Sequence, residues 1–254
     1  MRIEQDIKLD FDDVLLKPKR SSLKSRKDFD LEREFQFKHS KNTWKGIPII
    51  ASNMDTSGTF EIAEVFRKKH LITAAHKFYS IKDWEKQINT LKEPLDVAEF
   101  SHYVWPTIGI KELEQYEDFD NLFKRSQIYP NFLVVDVANG YTEKFVNLIK
   151  ELRDDYYDTT LIAGNVATPE GVEALVFAGA DVVKVGIGPS KVCDTRIVAG
   201  VGYPQLSATI ECADAAHGLG AHIIADGGCK NIADVGKAFC AGADFVMLGS
   251  MLAG

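Results

Sequence analysis

Long apolar runs are missing from this chain of 254 residues: no stretch approaches the 18 apolar residues of a membrane span. The amino terminus MRIEQDIKLDF is charged rather than apolar, so no signal peptide is read there. Cysteine is scarce as well. The four present (Cys193, Cys212, Cys229, Cys240) form no CxxC pair, which excludes a disulfide scaffold and points to reduced thiols in a cytoplasmic setting. No His/Cys/Asp/Glu set has transition-metal spacing, and neither a GxGxxG fingerprint nor a P-loop occurs. Basic charge is in deficit, with a net charge of −7 and a pI near 5.4, and this argues against a nucleic-acid surface. The one basic cluster, Lys17 to Lys27, suits a small phosphorylated ligand or a solvated arm equally well.

What is present is regular. From Ile47 onward, short apolar strands alternate with amphipathic helices, whereas residues 1–46 lack periodicity and read as an extended arm. Strands are expected at 46–51, 71–75, 101–108, 132–138, 160–164, 181–187, 222–225 and 245–248. Helices are expected at 59–69, 81–91, 111–126, 142–153, 168–177, 207–217 and 232–241, with 92–100 as a linker. FAGADVVKVG and CAGADFVMLG repeat one unit of helix end, glycine turn and buried strand. Eight near-continuous apolar strands with intervening helices predict an α/β fold, a single (β/α)8 barrel domain over 1–254 whose last helix is missing.

In such a barrel the loops after the strands converge on one mouth. The loop after the sixth strand carries Cys193 beside Lys191, Arg196 and several glycines, a setting that favours the thiolate, although Asp194 opposes it. Packing is the competing role for Cys193, since a free cysteine usually behaves as a small apolar residue. Glycine turns at Gly227-Gly228 and Gly249-Ser250 expose backbone N–H groups of the kind that hold phosphate, and each also serves as a plain strand-to-helix connection. Asp55, Asp136 and Asp226 follow strands, where a carboxylate meets ribose hydroxyls or caps the next helix. His76 and Lys77 stand at a strand end facing a phosphate, and for His76 a simple hydrogen-bonding role is the stronger expectation. His217 and His222 fall on the opposite, stability face and are assigned no chemistry.

GIGPSKVCDTR followed by GVGYPQLSA, with IIASNMDT, DVANG, AGNVAT, DGGC and GADFVMLGSMLAG, resembles the IMP dehydrogenase and GMP reductase family over essentially the whole chain, arm included. Tyr203, the arm and the lack of a regulatory domain after the second strand favour the reductase branch. The resemblance implies NADPH-dependent reductive deamination of GMP to IMP and ammonia, with Cys193 as nucleophile at purine C2 and Thr195 relaying a proton. It implies substrate contacts at Asp226, Gly227, Gly228, Gly249, Ser250 and Lys191. Ser25, Arg26, Lys77, Asp136, Val137, Ala138, Ile187 and Gly188 are matched to nucleotide and cofactor contacts. A K+ ion is matched to carbonyls of Gly188, Ser190, Cys193 and Arg196, and a homotetramer without nucleic-acid or membrane partners is expected.

Three departures sit in the cysteine loop, where the commonest family sequence is GPGSVCTTR and this chain has Ser190, Lys191 and Asp194. Family members also continue past MLAG with a flap carrying a catalytic glutamate, whose loss is expected to remove a factor of roughly 10² to 10⁴ in rate. The competing readings are therefore a catalytically impaired purine-nucleotide-binding barrel and an IMP dehydrogenase lacking its regulatory domain.

Overall fold

The computed structural model describes residues 5–91, 93–109, 121–122, 130–189 and 195–252; for Arg26, Pro94 and Thr195 it describes the backbone alone. An antiparallel hairpin comes first, β1 (Arg33–Gln36) and β2 (Thr43–Gly46). Eight parallel strands follow: β3 (Ile49–Ala51), β4 (Ile72–Ala75), β5 (Val104–Ile108), β6 (Phe132–Asp136), β7 (Thr160–Val166), β8 (Val182–Val185), β9 (His222–Asp226) and β10 (Phe245–Leu248). Each pairs with its sequence neighbour, and β10 pairs with both β9 and β3, which closes the barrel.

Closure follows from the strand sequences. Buried on both faces, they are mostly apolar, with polar residues such as Asp136 and Lys184 towards their carboxyl ends, and their period of two divides them between interior and exterior. Ile50, Ile72, Val134, Ile162, Val182, Ile224 and Phe245 fill the interior with Trp44, Trp105 and Phe132. Alternate residues such as Leu133, Leu161, Val183 and Ile223 face outward and pack with Phe145, Leu148, Val172 and Ala213 of the surrounding helices. The hairpin lies within the arm that lacks periodicity in the sequence. It packs at the floor of the barrel, where the Phe35 ring lies 4.6 Å from Phe245 and Phe37 lies 5.6 Å from Phe132. Residues 33–46 are thus part of the core rather than a plain extended arm.

The helices begin where short polar side chains cap them. Thr59, Ser80, Thr142 and Asn231 each accept a backbone N–H from the first turn of 60–67, 81–88, 143–155 and 232–240. The sequence expectation errs at 92–100, because a helix spans Pro94–Tyr103 there, with Pro94 in the first turn, where its missing N–H costs nothing. The helix expected at 111–126 lies outside the described residues except for Asn121 and Leu122, which are helical. Both copies of the internal repeat end their helix in a glycine of positive φ, Gly179 at 114° and Gly242 at 105°. The same turn thus feeds β8 and β10.

Candidate active site

At the carboxyl ends of the strands an open cavity of about 450 Å³ is lined by Asn53, Lys77, Asp136, Asn165, Lys184 and Asp226, together with the glycine-rich turns at 186–188 and 227. Its floor is a charged cluster placed by strand register. Asp136 of β6 stands opposite Gly164 of β7, and Gly164 stands opposite Lys184 of β8. A Cβ at Gly164 would sit 2.6 Å from the Cβ of Lys184 and 2.7 Å from its carbonyl oxygen. The glycine therefore leaves the gap across which the Lys184 side chain reaches Asp136.

Lys184 is almost wholly buried, and its Nζ donates to Asp136 Oδ1 and to Asn53 Oδ1 at 3.2 Å, with Asp226 Oδ2 at 3.3 Å. Burial alone would push the lysine pKa down, yet the charges of Asp226 and Asp136 hold it above the ordinary value. Burial likewise opposes ionisation of Asp136, and Lys184 overcomes it, so the Asp136 carboxyl titrates below the usual range. Both partners shift toward their charged forms. The floor of the cavity is thus a fixed cation between two fixed carboxylates.

Asn165 completes the arrangement. Its Nδ2 donates to Asp226 Oδ2 and to the Gly186 carbonyl, each at 2.8 Å, which locks the Asp226 carboxylate against the turn after β8. That turn admits no side chain at Gly186, where φ is 155° and a Cβ would lie 2.1 Å from the Asp226 carbonyl oxygen. Gln205 holds it from the other side by donating to the Val185 carbonyl at 2.8 Å. His76 accepts the Phe78 N–H through Nδ1 at 3.2 Å and stacks on Tyr79, organising the loop that presents Lys77 to the cavity.

Lys77, Asp136, Val137, Ala138, Ile187, Gly188, Asp226 and Gly227 therefore all stand on the cavity wall. Gly228 borders an adjoining crevice formed with Phe11, Pro189 and Lys230. Gly249 packs by Ser52 and Met54 of the wall, and Ser250 is exposed just beyond it. Ser25, on the exposed arm, caps the turn Arg26–Asp28 and is not among the lining residues; Asp55 is exposed and outside the lining as well. Arg196 pairs with Asp10 at 3.8 Å, in the turn Thr195–Ala199 that follows the cysteine loop. Cys193, Lys191, Ser190 and the side chain of Thr195 lie outside the described residues. Asn53, Asn165 and Lys184 were missed in the sequence. The signal for Lys184 was available: a charged residue inside a β-branched buried strand persists only with partners.

Fold and cavity together define the class, a (β/α)8-barrel protein with a small-molecule site at the strand carboxyl ends. The IMP dehydrogenase / GMP reductase domain model matches residues 8–254. The chain is 54% identical to a GMP reductase from Salmonella typhi over 256 residues, all of this chain and 71% of that protein. The GMP reductase of Citrobacter koseri is 54% identical with the same coverage. Among solved structures, inosine 5′-monophosphate dehydrogenase from Legionella pneumophila matches 98% of this chain and 71% of its own, with a TM-score of 0.80 and 34% identity. The chain belongs to the IMP dehydrogenase / GMP reductase family and is an oxidoreductase.

Proposed function

We propose that this chain is a GMP reductase, converting GMP to IMP and ammonia at the expense of NADPH. The observation that carries the reading is 54% identity across the whole chain to proteins named GMP reductase, against 34% to the dehydrogenase structure. The cavity chemistry supports it. Two carboxylates paired with Lys184 suit ribose hydroxyls, which donate to carboxylate oxygens. The turn at 227–228, where both glycines take positive φ, suits a 5′-phosphate, and the Gly249-Ser250 turn is matched to the same group.

In this reading the Cys193 thiolate adds to C2 of the purine, the exocyclic amine leaves as ammonia, and Thr195 relays the proton that the amine needs. A nicotinamide cofactor held against Lys77 and Asp136 would supply a hydride to C2 of the resulting thioimidate, with cleavage of the C2–S bond releasing IMP and the Cys193 thiolate. Asp136, Val137 and Ala138 with Lys77 form the wall against which this second nucleotide rests, and their donor set, one carboxylate and one ammonium beside an apolar strip, suits a ribose and its phosphate. Asp226, fixed by Asn165, orients the substrate ribose. K+ is assigned to carbonyls of Gly188, Ser190, Cys193 and Arg196. Of these Gly188, at φ 61°, packs so closely that a Cβ would meet the Val201 carbonyl oxygen at 2.9 Å and the Arg196 Cβ at 3.1 Å. A cytoplasmic homotetramer is part of the same proposal.

The test is oxidation of NADPH followed by absorbance with and without GMP. GMP-dependent oxidation that disappears in Cys193→Ala is expected. Reduction of NAD with IMP, or GMP binding without oxidation, would overturn the assignment in favour of a dehydrogenase or a non-catalytic binding barrel.

A further inference from the structure

At the other end of the barrel, where the strands begin, three side chains from three elements converge. His217 lies in the last turn of the helix 205–218, His222 opens β9, and Asp244 immediately precedes β10. Asp244 Oδ2 is 2.9 Å from His217 Nε2, and Asp244 Oδ1 is 3.2 Å from His222 Nδ1. One ligand atom from each residue lies within 4.8 Å of the other two. Sequence spacing does not reveal this, because Asp244 belongs to the next βα unit.

The tautomer of His222 gives the cluster its meaning. Its Nε2 lies 3.2 Å from the Gln36 carbonyl oxygen, and a carbonyl only accepts, so Nε2 carries the hydrogen. In the neutral ring Nδ1 is then a bare lone pair. It is buried with no hydrogen-bond partner, and it faces a carboxylate oxygen that also only accepts. Two lone pairs held face to face require a proton or a metal ion between them. The supporting contacts are those of a metal ligand: the other ring nitrogen of His222 is anchored on a backbone carbonyl, and Asp244 Oδ2 is held by the Ile223 N–H at 2.8 Å. His217 is 45% exposed, which leaves room for solvent as a fourth ligand.

We propose that His217, His222 and Asp244 bind one divalent transition-metal ion of the zinc type, with two nitrogens, one carboxylate oxygen and a water in tetrahedral arrangement. The ion ties the end of helix 205–218 to the starts of β9 and β10. It stands apart from the nucleotide cavity, so its presence or absence is independent of the reductase reading.

The experiment titrates the chelator-stripped full chain with Co2+, whose visible bands report geometry and whose near-ultraviolet band reports thiolate ligation. One ion per chain, with tetrahedral visible bands and no thiolate band, is expected. His217→Gln keeps the bulk and a donor toward Asp244 but removes the imidazole lone pair, and it should weaken binding at least about tenfold. Zn2+ should raise the melting temperature of the parent chain and leave that of His217→Gln unmoved. No stoichiometric binding, a thiolate band, or equal binding by the two proteins would overturn the site and leave a proton between His222 and Asp244.

Discussion

Lys184 is the residue on which the mouth of the barrel turns. A lysine buried in a strand with two carboxylates and an asparagine is tolerable only as a complete set. Replacing it by methionine, similar in volume, strands Asp136 and Asp226 as uncompensated charges. Lys184→Met is expected to cost about 3 to 5 kcal/mol in urea unfolding. A cost below about 1 kcal/mol would show that water already screens the pair. The same variant should raise the Asp136 pKa, because Lys184 is what holds that carboxyl below the usual range. Asp136 and Asp226 are legible in the sequence by their place after strands, whereas Lys184 is not. Its neighbours Val182, Val183 and Val185 give a strong strand signal that one charge does not disturb.

Among the elements, β7 decides whether that cluster can form. Gly164 leaves its interior position empty, and the Lys184 side chain occupies the space. Gly164→Ala pushes a methyl group into the backbone of β8. It should lower stability by about 1 to 3 kcal/mol in thermal melts and depress catalysis in parallel, since Lys184 must move. A variant as stable and active as the parent would mean that the strands spread freely here. Most elements were legible in sequence because each carried two agreeing signals, such as a Thr or Ser cap followed by an amphipathic repeat at 60–67 and 143–155. The helix Pro94–Tyr103 was not. It starts without a side-chain cap, and its proline is the first helical residue. The hairpin at 33–46 was missed for a related reason: two four-residue strands alternating over Trp44 and Phe35 are too short to show a period, and their stability comes from the barrel they cover.

For the whole molecule, the histidines set a pH dependence whose sign is fixed by burial. Burial lowers the pKa of His39, His76 and His102 below the ordinary imidazole value. Their unfolded forms therefore take up protons that the folded chain refuses, and stability falls as the pH drops below about 6.5. His222 runs the other way. In the metal-free chain burial lowers its pKa, but the Asp244 carboxylate facing Nδ1 raises it further, so its contribution is present below about 6.5 and lost as pH rises through the folded value. Three groups oppose one. Urea midpoints are expected to fall between about pH 7.5 and 5.5, and His102→Asn should flatten the slope. A midpoint that rises on acidification would mean that the Asp244 pair dominates.

Barrel closure joins the first and last parallel strands, with Ile49 opposite Val246. About 200 residues separate these partners, so on a ribosome adding 5 to 20 residues per second the seam stays open for roughly 10 to 40 s after β3 has emerged. Throughout that interval β3 is a bare sheet edge, the kind of surface that templates pairing with another nascent chain. The seam between β3 and β10 is thus where translation speed and chaperone supply meet the architecture, and slowing the ribosome late in the message lengthens the exposure.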